Sequence, residues 1–285
     1  MAGASGVMVP RPARLPADLG IRAAAGVVMA GLAAVVIFLG GWYFALVMMV
    51  ILVLMAREWA KLTMGQSKRR YAVVGVVLLP LLLMALLQYA VTAANEPTVA
   101  LLGGALGALL LLVSVLLIRR VGGWPERLWA VVGIVYLGVP AVAFLALRDL
   151  PQGMQLVFWL VIVVVATDVF AYLVGRSLGG PKLAPRISPG KTWSGLAGGA
   201  AGAMILGGVF AHMVGWGWPQ GALVALILAL VAQSGDLFES FIKRRAGVKD
   251  SGQLIPGHGG MLDRLDGYLF AVPTLALLVA IDQAF

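Results

Sequence analysis

Long runs of apolar residues, separated by short polar connections, follow one another along almost the whole chain. Most runs approach the roughly 20 residues that an α-helix needs to cross the hydrocarbon core of a bilayer. The pattern therefore predicts an all-α polytopic membrane protein with about nine transmembrane helices. The predicted spans are Ile21–Gly40, Trp42–Ala56, Tyr71–Val91, Thr98–Ile118, Leu128–Leu147, Met154–Val174, Trp193–Val214, Gln220–Ile242 and Met261–Ile281.

The polar content of the predicted spans changes near Met154, and this change divides the chain into two halves. The five spans within residues 21–153 contain no Asp, Glu or Lys and are predicted to form a scaffold. Residues 154–285 are predicted to carry the chemistry, because ionised groups within a bilayer are costly and usually face a bundle interior or an aqueous cavity. Residues 1–20 are rich in Pro, Gly and Ala and are predicted to be a disordered cytoplasmic N-terminus. The acids of the second half are Asp168, Asp236, Glu239, Asp263 and Asp266.

Composition and charge support a membrane protein and indicate its orientation. The chain is 61% hydrophobic and 12% charged, whereas a soluble domain carries about 25% charged residues. The net charge of +9 is explained by basic cytoplasmic loops rather than by nucleic acid. With the N-terminus in the cytoplasm, every Lys and Arg except Arg148 falls inside, and nine spans leave the C-terminus in the periplasm. The absence of cysteine excludes disulfides and thiolate metal sites.

The acids of the last two predicted spans have a spacing that suits a metal ion. Asp236 precedes Lys243 by seven residues, which places it on the order of 10 Å below the cytoplasmic surface. Asp263 and Asp266 lie one turn apart at the start of a helix, where carboxylates gain from the helix dipole. Mg²⁺ prefers such oxygen ligands, so we expect these three acids to hold Mg²⁺, with a second cation as an option. The alternative is that each acid only pairs with a nearby Lys or Arg.

The polar loop after the eighth predicted span combines basic residues with glycines. Four basic residues lie within residues 243–249, and by themselves they are typical of a positive-inside anchor. The same loop continues into Gly257–Gly260, a Gly-His-Gly-Gly run directly before a helix start. Glycines let a backbone approach a ligand closely, and a helix N-terminus binds phosphate. The combination predicts a phosphate site, in which His258 donates to a phosphate oxygen or transfers a proton.

A second polar loop, residues 175–192, ends in Gly190–Thr192 and imitates the end of a nucleotide-binding P-loop. That fingerprint requires a Gly five residues before Gly190, where this chain has Pro185, and it requires a preceding strand. We therefore reject an NTPase P-loop. The polar side chains of the loop stay candidates for contact with a triphosphate or a lipid phosphate; they are Lys182, Arg186, Ser188, Lys191 and Thr192.

The residues of these two loops carry a family resemblance. The run from Ser240 to Asp266 has the form Ser-x-x-Lys-Arg-x₄-Lys-Asp-x-Gly-x-x-Ile-Pro-x-His-Gly-Gly-x-x-Asp-Arg-x-Asp. It resembles the signature of phosphatidate cytidylyltransferases, also called CDP-diacylglycerol synthases. The upstream pieces Asp-x-x-Ala-Tyr-x-x-Gly-Arg, which starts at Asp168, and Ser-Pro-x-Lys-Thr-Trp, which ends at Trp193, resemble the same family. One departure is Ser194, where many members have Glu. The resemblance does not extend to the N-terminal half beyond its general apolar character.

The resemblance implies the reaction CTP + phosphatidate → CDP-diacylglycerol + pyrophosphate, with Mg²⁺, in phospholipid synthesis. It also implies a multi-pass enzyme of the inner membrane, a homodimer, with its active site facing the cytoplasm. The catalytic residues that it implies are Asp236, Lys243, Arg244, Lys249, His258, Asp263, Arg264 and Asp266, of which Asp236, Asp263 and Asp266 bind the metal. The implied substrate-binding residues are Asp168, Tyr172, Arg176, Lys182, Ser188, Lys191, Thr192, Ser240, Asp250, Gly259 and Gly260.

Three other functions share some of these features. An ion or solute transporter also carries acids within its spans, but transporters usually place them near the bilayer midplane between repeats. A CDP-alcohol phosphotransferase uses a tighter array of Asp, Gly, Ala and Arg residues that this chain lacks. A CTP-dependent enzyme that acts on another lipid phosphate stays open, because the same residues would serve it.

Overall fold

The computed structural model describes residues 19–64, 123–252, 254 and 259–284. The predicted spans Tyr71–Val91 and Thr98–Ile118 lie outside the described residues, as do the first 18 residues of the predicted disordered N-terminus. His258 also lies outside them.

Helices account for nearly all of the described chain, as the apolar pattern predicts. They are α1 (Leu19–Leu39), α2 (Gly41–Met64), α3 (Trp124–Gly133), α4 (Val139–Asp149), α5 (Gly153–Leu178), α6 (Trp193–Met213), α7 (Trp218–Arg245) and α8 (Leu262–Ala284). A π-helical turn, Ile134–Gly138, joins α3 to α4. Within the described residues, six segments are long and apolar enough to cross a membrane, with α3 to α4 counted as one segment, Trp124–Asp149. The prediction of a helical polytopic membrane protein is confirmed, whereas the count of nine and the orientation stay predictions.

The second helix is longer than the sequence pattern predicts. We expected the span to end at Ala56, but α2 continues to Met64. The extension carries Arg57, Glu58 and Lys61, and long unbranched side chains of this kind favour helix over coil. Trp59 within it is buried, so packing also holds the extension in place. Residues 57–64, which follow the predicted span, are thus helical and not part of a loop.

Residues 182–192 of the second polar loop form a β-hairpin, which the all-α prediction does not include, whereas residues 175–178 of that predicted loop belong to α5. Strand β1 (Lys182–Ala184) pairs antiparallel with β2 (Ser188–Thr192). Thr192 then caps α6, because its Oγ1 accepts a hydrogen bond from Gly195 N at 3.0 Å. Ser194 Oγ donates to the carbonyl of Gly179, which ties the start of α6 to the end of α5.

Small residues allow α5, α6, α7 and α8 to pack closely around the polar residues of the second half. A Cβ on Gly199 would lie 2.7 Å from the Thr167 carbonyl oxygen of α5. A Cβ on Gly235 would lie 2.6 Å from the Asp266 carbonyl oxygen of α8. Close backbone approach through glycine is characteristic of helices that associate in membranes. At Gly235 it brings the acid-bearing turns of α7 and α8 together.

The two ends of the described bundle are built differently. At one end, α1 and α2, α4 and α5, and α6 and α7 are joined by connections of a few residues. Arg148 lies at this end, and its Nε donates to Ile37 O at 2.8 Å. Trp216 Nε1 donates to Gln152 Oε1 at 2.7 Å. At the opposite end lie the hairpin and the loop before α8, and we call this end the polar end.

Candidate active site

Five acids from three helices converge at the polar end. Asp266 on α8 lies within electrostatic range of Asp168 on α5 and of Asp236 and Glu239 on α7. Glu239 in turn interacts with Asp263 on α8. The acids that the sequence places in the second half therefore form one cluster.

Lys191 of the hairpin neutralises the first acid of α7. Its Nζ lies 2.5 Å from Asp236 Oδ2 and donates to Gln233 Oε1 at 3.2 Å. The other carboxylate oxygen, Oδ1 of Asp236, accepts from Ser240 Oγ at 3.3 Å. The fold thus brings together Lys191, Asp236 and Ser240, three predicted site residues, and Gln233 joins them. This contact docks β2 onto the cluster.

Lys243 lies between two carboxylates of different helices. Its Nζ is 2.5 Å from Glu239 Oε2, one turn earlier on α7. It is also 2.7 Å from Asp263 Oδ1 on α8. The Glu239 residue is only 1% exposed, and its Oε1 is buried without a hydrogen-bond partner in the described part of the chain. Burying a carboxylate without full hydrogen bonding is costly, so Lys243 is needed for stability as well as for charge.

Asp263 organises the loop before α8 around its second oxygen. Asp263 Oδ2 accepts from Ser251 N at 2.9 Å, from Ser251 Oγ at 3.0 Å and from Gly260 N at 2.8 Å. Gly259 adopts φ +81°, and a Cβ there would lie 2.6 Å from the same oxygen. Gly259 and Gly260 therefore serve the carboxylate directly, because any side chain at 259 would be strained in backbone and would collide with it.

The cluster contains more carboxylates than cations in the part that the structure describes. Lys191 and Lys243 are the lysines in contact with acids, and Arg264 acts electrostatically on Asp168. Asp266 Oδ1 accepts a hydrogen bond from Gly267 N at 2.7 Å. Among the described residues, no group of three or more Asp, Glu or His side chains is arranged to hold a metal ion. Lys191 and Lys243 lie beside Asp236 and Asp263, two of the acids for which the sequence predicts Mg²⁺, so both the metal site and the ion-pair alternative stay open.

The remaining basic residues of the signature lie at the rim of the cluster. Arg244 Nε donates to Ile187 O at 3.2 Å, and its Nη1 donates to Val248 O at 3.2 Å. Arg244 thus fastens the turn of the hairpin to the end of α7. Lys249 and Asp250 are exposed in the turn that follows α7, and Arg264 is exposed on α8.

The predicted substrate residues of α5 and the hairpin lie on the accessible side of the cluster. Tyr172 is 61% exposed, and its hydroxyl accepts from Arg176 Nη1 at 2.6 Å. Lys182 is exposed on β1, and Ser188 pairs with Ala184 in the hairpin. Thr192 is buried as the cap of α6, and its contact with substrate stays a prediction.

Besides Gln233, sequence reasoning missed two further contributors to the site. Glu58 of α2 accepts hydrogen bonds from the first residues of α8, and Ser251 links Glu58 to Asp263. Ser251 lies inside the signature run and was detectable there as a hydroxyl beside Asp250. Glu58 is separated from its partners by about 200 positions (|i−j| 193 to 204), so no local spacing connects them.

Comparison with known proteins agrees with the signature. Residues 20–282 match the model of a family described as "Cytidylyltransferase family". A relative in Brucella abortus (strain 2308), named phosphatidate cytidylyltransferase, is 48% identical over 184 residues, 62% of this chain and 67% of the relative. A Bacillus subtilis (strain 168) protein of the same name is 40% identical over 176 residues, 61% of this chain and 65% of that protein. One from Haemophilus influenzae is 47% identical over 133 residues, 44% and 46% of the two chains.

Proposed function

Since this chain belongs to the cytidylyltransferase family, we propose that it is a phosphatidate cytidylyltransferase of phospholipid synthesis. It would join CTP and phosphatidate to form CDP-diacylglycerol and release pyrophosphate. The observation that carries the proposal is the convergence of signature acids and lysines from α5, the hairpin, α7 and α8 at one end of an apolar bundle. The names of its relatives support the same reaction.

The reaction requires an anion to attack an anion. A phosphate oxygen of phosphatidate forms a bond to the α-phosphorus of CTP, and the bond from that phosphorus to the oxygen bridging the β-phosphorus breaks. Because the lipid phosphate is the nucleophile, no Ser or Cys nucleophile is needed. Such transfers depend mainly on positioning and on electrostatic stabilisation of the phosphate oxygens. Lys191 and Lys243 are held in place by carboxylates, so they would meet the phosphates with little reorganisation.

Asp236, Asp263 and Asp266 offer carboxylate oxygens, the donors that Mg²⁺ prefers, and we propose them as the metal ligands. In the described structure the three are not gathered around one point, so the proposal rests on the chemistry of the donors and on their place in one cluster of acids. Bound Mg²⁺ would supply charge neutralisation to the nucleotide phosphates. Asp263 already accepts from Lys243 and from the loop before α8. Its Oδ2 is engaged by that loop, so we propose Oδ1, the oxygen beside Lys243, as the one that would serve the metal.

The lipid and the nucleotide would reach the cluster from different sides. Asp168 and Tyr172 are exposed on α5, a position that suits a lipid phosphate arriving along the helix surface. The hairpin and the loop before α8 lie at the polar end, which suits CTP arriving from water. We propose that this end faces the cytoplasm from the inner membrane, since nearly all basic residues fall on that side of the predicted topology. A homodimer stays a prediction from the family resemblance.

Pyrophosphate release from purified protein tests the proposed function. We expect release when CTP, Mg²⁺ and phosphatidate are all present, and none when diacylglycerol, which lacks the phosphate, replaces phosphatidate. An ether-linked phosphatidate analogue assayed beside it separates this enzyme from one acting on another lipid phosphate. Folded protein that releases no pyrophosphate but moves solute or protons across liposomes would support the transporter alternative.

Magnesium titration tests the proposed ligands. Asn keeps the shape of Asp and removes its charge, so Asp236→Asn should raise the Mg²⁺ concentration needed for the half-maximal rate. If Asp236 only pairs with Lys191, the variant should lose stability while the Mg²⁺ dependence of the folded protein stays unchanged. Lys191→Met is the matched control, because it breaks the same ion pair and leaves the carboxylate available to the metal.

A further inference from the structure

Glu58 connects the N-terminal half of the chain to the loop that precedes α8. Its Oε1 accepts from Met261 N at 2.9 Å, and its Oε2 accepts from Leu262 N at 2.8 Å. Oε2 also accepts from Ser251 Oγ at 2.9 Å. The first N–H groups of a helix have no partner within the helix, and a carboxylate is favoured there by the helix dipole. Glu58 therefore caps α8 from a different helix, α2.

The contacts of Glu58 continue without a break to the acids and lysine of the cluster. Ser251 Oγ lies between Glu58 Oε2 and Asp263 Oδ2, at 2.9 and 3.0 Å. Asp263 Oδ1 in turn lies 2.7 Å from Lys243 Nζ. A displacement of Glu58 would therefore move the loop that supplies three of the hydrogen bonds to Asp263. Charge-assisted hydrogen bonds of this kind are the strong ones.

Two glycines of the signature give the Glu58 carboxylate its space. A Cβ on Gly252 would lie 2.6 Å from Glu58 Oε1. A Cβ on Gly260 would lie 2.6 Å from both Glu58 oxygens and 2.2 Å from Ser251 Oγ. These glycines have ordinary backbone conformations, since neither is among those with positive φ. Their lack of a side chain is explained by the carboxylate that lies against them, and a residue outside the signature thus accounts for two positions within it.

We propose that Glu58 is a positioning residue for the transfer reaction: it fixes residues 251–252 and 259–262 so that Asp263 and Lys243 meet the substrates in one arrangement. The proposal rests on the proposed function for its kinetic test. It assigns the N-terminal half a direct part in the geometry of the site, although that half lies outside the signature. Misplacement of a catalytic group by about 1 Å costs on the order of a hundredfold in rate.

Glu58→Gln is the first test, with Glu126→Gln as the matched control. Gln keeps the size of Glu but presents an NH₂ group to one of the N–H donors, so the loop loses its charged cap. We expect kcat per folded enzyme to fall by roughly tenfold to a hundredfold, with KM for CTP within about threefold, because positioning acts mainly on the transition state. Glu126 lies in the first turn of α3, and its Gln variant should keep the original kcat. A purely structural role would instead lower the yield of folded protein and leave kcat unchanged, which would overturn the proposal.

Thiol labelling measures the loop without using activity. The chain has no cysteine, so Leu262→Cys introduces a single thiol at a position that is 0% exposed. In the Glu58→Gln background we expect labelling by a water-soluble maleimide to be at least about tenfold faster, because local opening becomes easier. In the Glu126→Gln background the rate should not change. Equal labelling rates in all three backgrounds would contradict the proposal even if kcat falls.

The two readouts separate this proposal from the proposed function. If Glu58→Gln is labelled faster but the original protein never releases pyrophosphate, the proposed reaction is contradicted and the role of Glu58 in holding the loop stands. If the original protein releases pyrophosphate, and Glu58→Gln changes neither kcat nor the labelling rate, the proposed function stands and the positioning role of Glu58 is contradicted.

A double-mutant cycle tests the contact between Gly252 and Glu58. Gly252→Ala should reduce kcat in the original protein, and it should have little further effect in a Glu58→Ala background, where the collision is removed. Additive effects would contradict the contact.

Discussion

Apolar helices end at both ends of the described bundle, but the polar groups that satisfy the helix termini differ between the two ends. At the end opposite the polar end, helices turn back within a few residues, and a single cation, Arg148, satisfies two carbonyls of α1. At the polar end, hydrogen bonds and ion pairs join α2, the hairpin, α7 and α8 across long separations in the chain. The polar end therefore contains far more charge than helix termination requires, and this excess marks the site.

The excess charge at the polar end costs stability. Glu239 is buried, and neither of its carboxylate oxygens has a hydrogen-bond partner among the described residues, although Oε2 pairs with Lys243. A buried ion pair is often no more stable than a well-packed apolar pair. Arg148, by contrast, donates to carbonyls that would otherwise lack partners. The charge of Arg148 therefore stabilises the fold, whereas the charges at the polar end lower its stability. Departures from stability of this kind are expected at functional sites.

The orientation of the two ends gives the largest expected effect, because its outcome is all or none. A reporter fused after Phe285 should report the periplasm, and one inserted at Gln66 should report the cytoplasm. The physical reason is the bias of Lys and Arg towards cytoplasmic loops. A cytoplasmic C-terminus would contradict both the count of nine spans and the cytoplasmic position of the polar end.

Removal of one carboxylate from each end sharpens the comparison. Asp263→Asn should lower the rate of pyrophosphate release per folded protein by about two orders of magnitude, the scale seen when one preorganised electrostatic contact is lost. Asp149→Asn, at the exposed end of α4, should change the rate by less than about twofold. Initial rates normalised to folded protein, measured across a Mg²⁺ titration, provide the check. Near-original rates for Asp263→Asn would remove Asp263 from the proposed site.

Arg148→Ala should have the smallest effect on activity and a visible effect on stability. The variant loses hydrogen bonds from a charged donor to Ile37 O and Phe38 O, at a cost of about 2 kcal/mol. The melting temperature in detergent should fall by roughly 5 °C, while the rate per folded molecule stays unchanged. Arg148→Lys is the control, because it keeps the charge with fewer hydrogen-bond donors. Its melting temperature should lie between those of the original protein and Arg148→Ala. A loss of rate without a loss of stability would break the distinction between the ends.

Much of the fold follows from local patterns, and the site follows from them only in part. The length of the apolar runs is enough to predict α5 to α8, because spanning a bilayer admits few other structures. The signature spacing is enough to predict that Asp236, Lys243 and Asp263 belong together. The hairpin is not predictable in this way, since its strands are short and contain Pro189 and Gly190, residues that sequence patterns associate with turns.

Polar contacts between residues far apart in the chain were the main features of the site that could not be predicted from the sequence. Lys191 could be assigned to a phosphate or to an acid with equal reason, and only the packing of the hairpin on α7 places it 2.5 Å from Asp236. Glu58 lies just beyond the predicted end of a span, where a charged residue is ordinary. Its partners are backbone N–H groups of α8, and backbone groups leave no trace in residue types. Neither pairing has a periodicity to detect.

The absence of a side chain at Gly235 has a mechanical consequence. Because any other residue would place a Cβ 2.6 Å from the Asp266 carbonyl oxygen, the backbones of α7 and α8 are in contact at the level of their acids. A larger residue at position 235 would therefore act as a spacer between the two helices and would move the acids of α7 away from those of α8.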